Sequence, residues 1–137
     1  MEVTKRRALF QGMYSVLKDA NAKCGFNVGF VTCPCCGFPT SVEPPASWDI
    51  CYICWWEDDG QDDAPGTPDR LASNLVLGGP NSTLSLDQAR SNFVKYGWMF
   101  SPEMRDLSKS MYNSIRPDIQ AEFQKILLGD SDILASY

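Results

Sequence analysis

An α+β fold is what this 137-residue sequence predicts, and three observations predict it. Two Cys-x2-Cys pairs, Cys33/Cys36 and Cys51/Cys54, are separated by fourteen residues. Short turn-bounded runs beside those pairs read as strands. The flanks carry apolar residues at helical spacing, with start and stop signals. The expected architecture is a small zinc-ribbon-like β element with a four-cysteine metal site, flanked by N-terminal, central and C-terminal helices. With no internal repeat and no linker-like stretch, residues 1–137 are read as a single domain.

Taken in order, residues 3–22 place Leu9, Met13, Val16, Leu17 and Ala20 at helical spacing, with Lys5, Arg6, Lys18 and Asp19 expected on the wet face. Gly25 supplies a stop. Residues 26–32 form a partly alternating run that predicts a short strand entering the first cysteine pair, and residues 47–53 are expected to pair with it. Residues 57–68 are acidic and turn-rich and read as a loop. The run from Leu71 to Leu77 is too short for periodicity to assign, and Gly78-Gly79-Pro80-Asn81 breaks the chain. Ser85-Leu86-Asp87-Gln88 has the form of a capping box, opening a helix that buries Leu86, Ala89, Phe93 and Val94 and stops at Gly97. Pro102 and Pro117 each sit at a first helical position. The second opens a helix with Ile119, Phe123, Ile126 and Leu127 on one face, ended by Gly129.

Composition bounds the function. An apolar fraction of 44% with 12% aromatics excludes wholesale disorder. Seventeen acidic against twelve basic residues give a net charge of −5. That balance disfavours non-specific nucleic-acid binding and favours a basic protein partner. The opening Met1-Glu2-Val3-Thr4-Lys5-Arg6-Arg7 leads into no apolar signal core, and no apolar run approaches the roughly 18 residues of a membrane span. The expectation is a cytoplasmic chain, with no membrane partner, whose thiols stay reduced. In that setting Cys-x2-Cys pairs denote metal or redox chemistry, not disulfides.

Cys33, Cys36, Cys51 and Cys54 form the candidate metal set. Two tight turns each offer two sulfurs to one point, and Gly37 supplies the positive φ that such a turn needs. Histidine is absent, so the thiolate/imidazole option is four thiolates. That is a closed, structural site for Zn²⁺, with iron the alternative in the same cage. Cys35 and Cys24 are read as a bystander and a buried filler, with substitute ligation or thiol-redox chemistry as the other reading. Trp55-Trp56 offers either an interface anchor or cover for the cluster, one ring buried and the other exposed. The acidic run fails the EF-hand spacing. It reads as a solvated turn, or as a carboxylate cluster that fills the positively charged site of a basic enzyme.

Four blocks carry a resemblance. Cys33-Pro34-Cys35-Cys36-Gly37, the run Ile50-Cys51-Tyr52-Ile53-Cys54-Trp55-Trp56-Glu57-Asp58-Asp59-Gly60, Gly78-Gly79-Pro80-Asn81, and Ser85-Leu86-Asp87-Gln88 through Phe93 to Gly97 resemble the bacterial cysteine-rich CPCC family over about residues 31–100. The resemblance implies a metal-binding domain, and in some members a toxin–immunity context. The second knuckle departs from the family's commoner form in lacking its proline. Residues 1–30 and 101–137 fall outside the match as helical extensions.

These readings converge on a non-enzymatic, zinc-stabilised protein-binding module, an immunity protein that inhibits a basic toxin. Trp55, Trp56, Glu57, Asp58, Asp59, Asp62 and Asp63 are the expected partner-binding residues. The alternatives are a thiol-redox or hydrolytic enzyme, and a zinc-ribbon nucleic-acid-binding factor.

Overall fold

The computed structural model describes residues 1–24, 28–62, 81, 84–105 and 115–128. Within them lie α1 (Val3–Gly12), α2 (Tyr14–Cys24), β1 (Val31–Thr32), β2 (Pro39–Ser41), α3 (Leu86–Tyr96), α4 (Pro102–Arg105) and α5 (Pro117–Leu127). Helices around a two-stranded antiparallel sheet make an α+β domain. Among the described residues no helix is long and apolar enough to cross a membrane. Gly25, Phe26, Asn27, Asp63, the 71–80 stretch and Gly129 lie outside the described residues.

The N-terminal helix is two helices. Met13 leaves the helical region at φ −101°, ψ 10° and donates its N–H back to Phe10 O at 3.0 Å, directly after Gly12, a weak helix former. The inner stripe is Arg6, Phe10, Leu17 and Ala20, with Met13 partly buried. Leu9 and Val16, expected inside, are exposed. Arg6, expected in water, is only 7% exposed. Its position belongs to the stripe, and a guanidinium with local partners can occupy a place that residue type alone assigns to solvent.

β1 pairs with β2, at Val31–Ser41 and Thr32–Pro39, so the sheet is the hairpin around the first cysteine pair. This corrects the expectation that residues 47–53 would supply the partner strand. That stretch instead folds back on itself through an Ile50–Glu57 bridge. The two hairpins stand side by side, joined by the Ser41 hydroxyl donating to Asp49 Oδ2. Gly29 makes the first hairpin possible. A Cβ there would lie 2.3 Å from Ser41 N, too close for any side chain.

α3 starts as its sequence predicts. Ser85 Oγ accepts from Gln88 N at 3.2 Å, Gln88 Oε1 accepts from Ser85 N at 2.8 Å, and Gly97 closes the helix at φ 84°. Leu86 and Ala89 are buried, whereas Val94 points to solvent, a correction to the expected face. Val94 lies off the 86/89/93 stripe by about a quarter of a turn. In α5, Ile119, Phe123 and Ile126 face inward with Leu127 at the edge. Phe10, Phe38 and Phe123 meet with ring centroids 5.7–6.0 Å apart, tying α1, the first hairpin and α5 into one core. The buried cysteines belong to that same core.

Candidate metal centre

The cysteine set lies on two knuckles of one design. In the first, Gly37 N donates to Cys33 O at 2.9 Å and Cys33 N to Phe38 O at 2.8 Å. In the second, Trp55 N donates to Cys51 O at 2.8 Å and Cys51 N to Trp56 O at 2.8 Å. The residue after each second cysteine has positive φ, 81° at Gly37 and 72° at Trp55. Glycine adopts this freely, while tryptophan is held there against a steric cost of about 1–2 kcal/mol. The strain at Trp55 is the counterpart of Gly37.

The knuckles bring four sulfurs together. Cys33 and Cys54 Sγ are 3.6 Å apart, as are Cys36 and Cys51 Sγ, and all four lie within 4.8 Å of one another. A tetrahedral ion with bonds of about 2.3 Å to sulfur sets neighbouring sulfurs about 3.8 Å apart, so the residues present fit such an ion. Each of the four is buried and no disulfide joins them. Burial pushes the Cys33, Cys36 and Cys54 thiols up. Burial acts on Cys51 too, but donation from Cys33, Cys36, Cys54 and Thr40 outweighs it and holds Cys51 well below the usual thiol range. Thr40 Oγ1 sits 3.2 Å and Ile53 N 3.4 Å from that sulfur, the kind of donors that fix a ligating thiolate. A divalent cation here would replace the remaining thiol protons and complete the core.

Arg6 supplies charge beside the cluster. Its Nε donates to Cys36 O at 2.7 Å and its Nη1 to Met1 O at 2.8 Å, with the guanidinium 4.6 Å above the Phe38 ring. No carboxylate pairs with it among the described residues. A buried cation without a counter-ion is costly. Four thiolates around a divalent ion carry a formal charge of −2, which Arg6 offsets in part.

The aromatic and acidic run is mostly internal. Trp56 is 1% exposed, and Trp55 is half-buried, packed on the core. Asp59 and Asp62, read from sequence as solvated, are 3% and 5% exposed. Asp62 takes Arg7 in two bonds, 2.7 and 3.0 Å. Asp59 Oδ2 accepts from Gln61 Nε2 and Asn81 Nδ2, while Asn81 also clamps both backbone groups of Glu57. Gln61 Oε1 accepts from Leu86 N at the start of α3. The loop is thus a strap joining α1, the second knuckle and α3. Glu57 and Asp58 remain partly exposed, and burial raises both carboxyls. Trp48, 52% exposed, is the accessible tryptophan of this hairpin.

A family model described as cysteine-rich CPCC matches residues 31–113. The chain belongs to the cysteine-rich CPCC family. No curated protein and no solved structure matches. The CPCC match begins at β1 and takes in both knuckles, the strap and α3. It leaves out α1, which supplies Arg6 and Arg7 to the CPCC core. Cys35, third in the CPCC run, is fully buried and outside the converging set, so it lacks the access an attacking thiol needs. Cys24 ends α2, and its side chain lies outside the described residues.

Sequence reasoning missed Arg6, Arg7, Thr40, Gln61 and Asn81. The one signal available was that Arg6 continues the Phe10–Met13–Leu17–Ala20 stripe. Contacts spanning 11 to 55 residues, from Thr40 with Cys51 to Arg7 with Asp62, leave no trace in spacing.

Proposed function

We propose that this chain is a non-enzymatic protein-binding module held together by one structural Zn²⁺ on Cys33, Cys36, Cys51 and Cys54. Its role would be that of a bacterial immunity protein that occludes a cognate toxin. The observation that carries the reading is the closed sulfur cage. All four positions of a tetrahedral ion are taken by buried protein sulfurs, which leaves no site on the metal for water or substrate. Such an ion stabilises the fold and performs no turnover. The net charge of −5 favours a basic partner. With Trp56, Asp59 and Asp62 engaged internally, the contact surface falls to Trp48, Trp55, Glu57 and Asp58.

Co-expression with candidate toxin domains encoded by neighbouring genes tests the reading. A stoichiometric complex that restores growth, weakened by Trp48→Ala, is expected. Absence of both complex and protection contradicts the immunity role.

A further inference from the structure

A second candidate site lies beside β1, on the face of α1 and α2 about a quarter of a turn from their buried stripe. There the residues at positions 7, 11, 14 and 18, which face one way, join Phe30 and the Val42–Pro45 turn around a cavity of about 510 Å³. That volume falls within the range of small-molecule sites. One wall is the edge-to-face pair Tyr14–Phe30, with centroids 5.6 Å apart. Val42, Pro44 and Pro45 form another part of the lining, a stretch whose two prolines stiffen it before any ligand arrives.

The charges around this cavity differ from those of the rest of the molecule. Among the described residues that line it there are two cations and no carboxylate, with Glu43 flanking the lining between Val42 and Pro44 in the same turn. Arg7 is committed to Asp62 and Thr32. Lys18 makes no ion pair among the described residues, and its ammonium lies 5.6 and 5.9 Å from the Tyr14 and Phe30 ring centroids. It is a cation placed at the mouth of an aromatic slot and still able to take an anion.

We propose that this cavity binds a small molecule with one carboxylate on an aromatic or similarly apolar body. The carboxylate pairs with Lys18 and the body packs on Tyr14–Phe30 and the proline stretch. A peptide added along β1 fits less well, because a two-residue strand offers too few backbone groups for strand addition. The acidic remainder of the surface also opposes an acidic macromolecule.

The test uses the full-length, metal-loaded protein, titrated with 4-phenylbutyrate and separately with 4-phenyl-1-butanol, and read by amide NMR shifts. Saturable shifts confined to Gln11, Tyr14, Lys18, Phe30 and Val31 are expected, with the acid binding tighter than the alcohol. Lys18→Met should weaken the acid about tenfold, the loss of one charge-assisted contact, and leave the alcohol unchanged. Tyr14→Ala should weaken both. Absence of saturable shifts, shifts centred elsewhere, or an acid affinity that Lys18→Met does not change would overturn the assignment.

Discussion

Replacing Arg6 by methionine removes charge from beside the cysteine cluster while keeping most of the side chain's length. Methionine can make neither the 2.7 Å bond to Cys36 O nor the 2.8 Å bond to Met1 O. The buried bond to Cys36 O contributes about 1.5–3 kcal/mol and the part-buried one to Met1 O less, so after the relief of the guanidinium's desolvation the loss should be about 1–3 kcal/mol. Arg6 is 7% exposed, so solvent screening discounts little of this. The part transmitted to the ligands should weaken metal affinity roughly 10–100-fold, the usual effect of losing an outer-shell partner. Competition for Zn²⁺ against a chromophoric chelator measures the affinity, and urea denaturation of the loaded protein measures the stability. Arg6→Lys keeps the charge with one bond fewer and should fall between the two. An Arg6→Met protein with unchanged affinity and midpoint refutes the reasoning. So does an Arg6→Lys protein as impaired as Arg6→Met, which would show that shape and not charge is at work.

Other outcomes follow from the same contacts. Asp62→Ala removes the buried carboxylate that takes Arg7 in two bonds and should cost about 3–5 kcal/mol by chemical denaturation, whereas Asp118→Ala, which breaks an exposed pair with Arg116, should leave the denaturation midpoint nearly unchanged. Gly29→Ala sets a Cβ against the backbone of Ser41 and should lower the melting temperature by forcing the first hairpin apart, at about 1–3 kcal/mol. Metal binding releases thiol protons, so apparent Zn²⁺ affinity should fall as pH is lowered, which the chelator competition reads directly.

Local signals were legible in the sequence. The Ser85/Gln88 box, Gly97, Pro117 and the two Cys-x2-Cys turns each act within a few residues, and each appears as read. The sheet was misassigned because residues 28–41 and 48–58 both form hairpins, and alternation over four or five residues does not say which strand pairs with which. The acidic strap was misread for a different reason. Carboxylates look solvated until the chain brings a guanidinium or an amide from far away, as Arg7 reaches Asp62 and Asn81 reaches Asp59. The helical stripe of α1 and α2 was visible, but not that it admits Arg6, because the reason for a buried cation is the sulfur cluster some 30 residues on.

Elemental analysis of the freshly purified full-length chain, run beside Cys51→Ala, tests the central claim most directly. The expected result is about one zinc or iron per wild-type chain, lost with the cysteine together with a marked drop in melting temperature. A wild-type chain without stoichiometric metal, or a Cys51→Ala chain that melts like wild type, would contradict it.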